Sequence, residues 1–113
     1  MTIDIIRDSV KSGVTVEYSA HCQKRMFERA ISRRDILNCI LTGEIIEEYR
    51  LDQTNLSEKS LPSYLILGFR NFDKQAIHIV VGFNGQRLLI ISACYPDDTV
   101  WLSNYKTRRS KNV

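Results

Sequence analysis

In "YSAHCQKRMFERAIS", Tyr18 to Ser32, a histidine and two arginines recur at four-residue steps as His21, Arg25 and Arg29. At about 100° per residue of an α-helix, these three and Glu28 share one wedge of the wheel. Cys22, Met26, Phe27 and Ala30 take the adjoining arc, which is expected to meet a core. The polar stripe is separate from that packing face, so it reads either as a wet surface or as a cationic site. A second histidine, His78, stands in "AIHIVVGF". Alternation sets it on the sheet face opposite Ile77 and Ile79, and Ala76 and Gly82 beside it leave room for a ligand. A half-buried structural histidine explains the same pattern. Arg87 and Tyr95 share a parity in a later strand, and Tyr49 and Tyr95 each close a strand, where sites commonly lie. Each tyrosine also reads as core filler with its hydroxyl at the edge.

Taken as a set, these residues match one class of reaction. RNA is cleaved without metal when its 2′-hydroxyl attacks the adjacent phosphate, which requires a base, an acid and fixed cations against the developing charge. His78, Tyr95 and His21 are the candidate proton carriers, since imidazole suits proton transfer near neutrality. Arg25, Arg29 and Arg87 are the candidate phosphate clamps, because guanidinium offers paired donors. Tyr49 and Trp101 could stack unpaired bases. No cofactor is expected. Two rivals fail on spacing: Arg29 lies one place too far from Cys22 for the cysteine-phosphatase signature, and His21, Cys22, Cys39 and His78 are too scattered for zinc.

The elements that must position these residues follow from periodicity. "IDIIRDSVKSG" reads as a short amphipathic helix stopped by Gly13, and "VTVEY" is extended in propensity. Ser19 caps the helix of the opening stripe. Ser32 with Asp35 forms a variant capping box for another helix, in which Ile36, Leu37, Ile40 and Leu41 recur at helical spacing up to Gly43. The period then changes to two. "EIIEEYRL", "SYLILGFR", "AIHIVVGF" and "QRLLIISACY" read as strands, with "DQTNLSEKSLP" a loop and "NFDKQ" a turn. "NG" signals a type I′ hairpin, and the basic tail is expected to fray. The expected architecture is α+β: N-terminal helices packed on a four-stranded antiparallel sheet, in a single domain over 1–113.

Composition limits the partners. The 43% apolar and 26% charged shares are those of a globular domain, and no apolar run nears the roughly 18 residues of a membrane helix. The start carries acids and lacks a secretion signal, and the odd cysteine count argues against a disulfide framework, so a reducing cytoplasm is expected. Net charge is only +3, but it is segregated. Lys24, Arg25, Arg29, Arg33 and Arg34 form one basic group, Lys106, Arg108, Arg109 and Lys111 another, and Glu44, Glu47 and Glu48 an acidic one. Such separation suits a polyanion on one side and a cationic partner on the other; solvated faces without a ligand explain it equally.

The stripe, with "GEIIEEY", "LPSYLILG", "AIHIVVGF" and "ISACYPDDTVW", resembles a small uncharacterised bacterial family. That family in turn looks like a branch of the RelE/ParE-type, MqsR-like toxins, often found beside a zinc-finger antitoxin. The motif positions are His21, Arg25, Arg29, Glu47, Tyr49, Pro62, Gly68, His78, Tyr95, Pro96 and Trp101. Ser92, Cys94 and Arg50 depart from the family's threonine, alanine and proline. The resemblance implies a RelE-like α/β sandwich and a metal-independent endoribonuclease toxin of a toxin–antitoxin pair, acting on messenger RNA free or on the ribosome. The alternative is a binding module for RNA or protein, or an inactive relative. A dimer rim along the charged stripe is a third reading.

Overall fold

The computed structural model describes residues 3–49 and 61–108. The expected "DQTNLSEKSLP" loop lies almost wholly outside the described residues, as does the tail after Arg108. The elements in order are α1 (Ile3–Lys11), β1 (Val16–Tyr18), α2 (Ala20–Arg29), α3 (Arg33–Thr42), β2 (Glu44–Tyr49), β3 (Ser63–Phe69), β4 (Ala76–Phe83) and β5 (Leu88–Cys94). The class is α+β, but the sheet corrects the four-stranded antiparallel expectation. It has five strands in the order β1-β5-β4-β3-β2, and β1 runs parallel to β5, with Val16, Glu17 and Tyr18 opposite Leu88, Leu89 and Ile90. Three residues of "VTVEY" are too short a run to declare a period, and only the neighbouring edge of β5 makes them a strand.

The helix boundaries follow the capping chemistry. The Ser19 hydroxyl accepts from the Cys22 amide at 3.0 Å, and α2 ends on Ala30 in the left-handed region at φ 55°. At α3 the box closes both ways: the Asp35 amide donates to Ser32 and the Ser32 amide to Asp35, each at 3.0 Å. Arg7 reaches from α1 to the far end of α3, where it donates to the Ile40 and Gly43 carbonyls. Arginine supplies donors where a helix end leaves acceptors unsatisfied.

α2 packs on β5 and α3 on β3. The core between helices and sheet holds Ile6, Cys22, Met26, Ile36, Ile40, Ile77, Ile79, Val81, Phe83 and Ile90. Gly68 lets α3 come close, for a Cβ there would stand 2.4 Å from the Cys39 Cβ. Phe27, expected in that core, is instead 88% exposed, and Ala30 is exposed too, so the buried stripe of α2 is narrower than the wheel suggested. The "NG" connection also differs. Asn84 does not take the positive φ that a type I′ turn requires, and its side-chain oxygen instead accepts from the Gln86 and Arg87 amides, both at 2.8 Å.

The opposite face of the sheet is covered as well. Residues 101–108 fold back as a hairpin-like flap, with Trp101 bridged to Arg108 and the Leu102 amide donating to Thr107. Leu65, Leu67, Ala76 and His78 are buried although they point away from the helices. Strands covered on both faces read as continuous apolar runs, as "SYLILGF" and "AIHIVVGF" do.

Candidate nucleic-acid interface

The sheet separates the predicted site residues into groups. His78 pairs with Leu67 on one side and Cys94 on the other, which sets its ring on the flap face, away from α2. It is 3% exposed. Its Nε2 lies 2.8 Å from the Tyr105 carbonyl, and the Trp101 ring stands edge-on at 4.6 Å. A carbonyl only accepts, so Nε2 carries the proton and is committed to the flap. Burial pushes the imidazole pKa down from its ordinary 6.5, with the Tyr105 carbonyl and Glu47 opposing and Arg108 assisting. The space expected beside it is filled, since a Cβ at Gly82 would meet Leu61 at 3.1 Å.

Tyr49 and Trp101 belong to the same face. Arg108 clamps Glu47 with two hydrogen bonds, at 2.7 and 2.9 Å, and sits 4.5 Å over the Trp101 ring. The Tyr49 hydroxyl donates to Glu47 at 2.6 Å. The Arg108 guanidinium holds the Glu47 carboxyl below its ordinary range, while burial pushes the Tyr49 phenol up. Lys106 pairs with Glu44 at 2.7 Å. Part of the acidic and basic segregation seen in the sequence is therefore settled within the chain, by the flap on β2. Trp101, being buried, presents no open ring to a base.

On the helix side the arrangement is different. Arg25 pairs with Glu28 at 3.0 Å, and His21 is exposed on the first turn of α2. Arg29 donates to the Ala93 carbonyl at 3.0 Å, filling the edge of β5 beyond the end of β1. The Tyr95 hydroxyl donates to the Arg29 carbonyl at 2.6 Å and accepts from Arg70 at 2.9 Å. Arg70 in turn grips Asp73 through two bonds, which raise its already high pKa, and lies 4.6 Å over the Phe72 ring. Arg29, Tyr95 and Arg70 thus form one continuous cluster at the end of β5. Arg87 stands at the other end of that strand, bound to Glu17 at 3.0 and 3.1 Å, roughly 26 Å away at the usual rise per residue.

So the structure joins Arg25, Arg29 and Tyr95 on one side, joins His78, Tyr49 and Trp101 on the other, and leaves Arg87 apart. Arg70 and Phe72 were not among the predicted site residues. The signal for them was an arginine ending a strand and an aromatic in the turn "NFDKQ", where a buried role is implausible. Among the described residues no group of three His, Cys, Asp or Glu side chains could hold a metal ion. No helix among them is long and apolar enough to cross a membrane.

An α+β domain, with three helices and a five-stranded mixed sheet among the described residues and with arginines and a tyrosine where α2 meets the end of β5, is the class defined by this geometry. The chain belongs to the family described as Domain of unknown function (DUF4258), which matches residues 18–95. That span runs from the start of the arginine stripe to Tyr95. No curated protein matches the chain, and no solved structure does.

Proposed function

We propose that this protein binds single-stranded RNA on the helix side of its sheet, as the toxin-type member of a toxin–antitoxin pair. The observation that carries this reading is the run of contacts from Arg29 through Tyr95 and Arg70 to Phe72, with Arg34 lining the same cleft as Phe72 and Arg25 one turn before Arg29 on α2. Among the described residues neither Arg29 nor Arg34 has an ion-pair partner, so both keep their charge for an outside anion. The resemblance to RelE/ParE-type toxins supports RNA as that polyanion. An antitoxin and a cytoplasmic location belong to the same reading.

The endoribonuclease activity is a second reading, favoured by the Tyr95 hydroxyl, which accepts from the Arg70 guanidinium while donating to the Arg29 main-chain carbonyl. There Tyr95 is the proton carrier and Arg70 beside it faces the phosphate. His78 cannot serve that phosphate from beneath the flap on the opposite face.

One comparison tests both readings. A labelled single-stranded oligoribonucleotide is titrated with the wild-type protein and with Arg25→Glu/Arg34→Glu, and the RNA is then run on a denaturing gel. Affinity is expected to fall by more than tenfold in the double variant, the direction set by reversing two positive charges on that surface. Equal affinity in the two proteins would sink the binding surface. Cleavage that disappears in Tyr95→Phe carries the second reading, and intact RNA with wild-type protein removes it.

A further inference from the structure

The turn between β3 and β4 holds a phenylalanine where none is needed for folding. Phe72 is 79% exposed. The turn beneath it is nevertheless well determined: the Arg70 amide donates to Gln75 at 2.8 Å, the Lys74 amide to Arg70 at 2.7 Å, and the Gln75 amide to Asp73 at 3.1 Å. Arg70 lies over the ring, fixed in its turn by Asp73. An apolar ring held at the surface by its neighbours exposes a π-face without the entropy that ordering a mobile side chain would cost.

Phe72 also lines a cleft of about 340 Å³ with Arg34, Asp35, Asn38 and Asn71. That volume is at the small end of ligand sites, which begin near about 300 Å³. Its polar groups are not used up. Asn38 gives one N–H to the Phe69 carbonyl at 3.2 Å, leaving its amide oxygen and second N–H. Asp35 accepts from the Ser32 amide through one oxygen, leaving the other. The cleft therefore offers a flat apolar surface, amide donors and acceptors, a carboxylate and a guanidinium. A planar heterocycle with a hydrogen-bonding edge and a phosphate attached to it meets all four.

We infer that this cleft takes one unpaired nucleobase of a single-stranded RNA, with the base stacked on Phe72, its edge on Asn38, Asn71 and Asp35, and its phosphate on Arg34. The inference rests on the RNA-binding reading and deepens it, because it assigns a base subsite to a surface so far argued only for the backbone. A paired base cannot enter, since its edge and faces are already occupied within the duplex.

The test replaces the ring alone. Phe72→Ala removes an exposed side chain and leaves the core untouched. It is expected to bind a labelled single-stranded oligoribonucleotide about tenfold more weakly than wild type, as when one stacked base is lost. Phe72→Trp is expected to retain wild-type affinity, and its indole emission to be quenched as RNA is added. Unchanged affinity in Phe72→Ala with an unquenched indole overturns the base subsite and leaves the backbone surface standing. A wild-type protein that fails to bind the RNA overturns both.

Discussion

At the scale of single residues, histidine shows how far side-chain type can mislead when burial is unknown. His78 and His21 are chemically identical, yet one is sealed beneath Trp101 and the other stands in solvent. For His78 the consequence is a pH dependence of stability. Burial holds its folded pKa below the ordinary 6.5, so on acidification the unfolded chain takes up a proton before the folded one does. The contribution is therefore complete above about 6.5 and is lost as pH falls through that value toward the folded pKa. Glu47 and Arg108 face the same ring, but the Glu47 carboxyl titrates below its ordinary 4.5 and so acts in a separate, more acid window. Urea unfolding of wild type and His78→Gln should show a steeper loss of stability for wild type between pH of about 7 and 5, by up to roughly 1.4 kcal/mol per unit. Parallel pH profiles would mean that the imidazole is not held neutral by the flap.

At the scale of elements, most of the chain was legible because local signals were strong. Ser19, Ser32 and Asp35 mark their helices by a chemistry that needs no tertiary partner, and the longer strands announce themselves as short apolar, β-branched runs bounded by turn residues. What escaped depended on distant neighbours. β1 is a strand only beside β5, and the flap lies down where Trp101 and Tyr105 meet His78 and where Glu44 and Glu47 of β2 receive Lys106 and Arg108. The same limit explains the site. Spacing grouped His21, Arg25 and Arg29 correctly on one helix, but nothing in the linear order says on which face of the sheet His78 falls relative to α2. Gly68 belongs to this scale too, as a motif glycine whose role is to bring α3 onto β3. Gly68→Ala would drive a methyl group to within 2.7 Å of the Cys39 Cα, which is backbone and cannot swing aside. Stability is expected to fall by about 2–3 kcal/mol, as for an overpacked core, in a denaturant titration. A loss under roughly 0.5 kcal/mol would show that the helix and the sheet are not in close contact there.

At the scale of the whole molecule, a net charge of +3 is too small to drive binding to a polyanion by itself, so distribution decides. The sheet separates two regions with different electrostatic fates. On the flap side Lys106 and Arg108 are spent on β2, and at the far end of β5 Arg87 is spent on Glu17. On the helix side Arg29 and Arg34 remain without such partners among the described residues. If the RNA-binding reading holds, this division sets the salt dependence. Counterion release from single strands gives a slope of about −0.7 per phosphate neutralised, so two contacts from Arg29 and Arg34 amount to roughly −1.4 in log affinity against log salt. Arg34→Ala should then reduce the slope by about 0.7, whereas Arg87→Ala should leave it where it was. Fluorescence anisotropy across a series of salt concentrations reads both. A slope that responds to Arg87 and ignores Arg34 would move the RNA to the opposite end of β5 and dissolve the surface proposed on the helices.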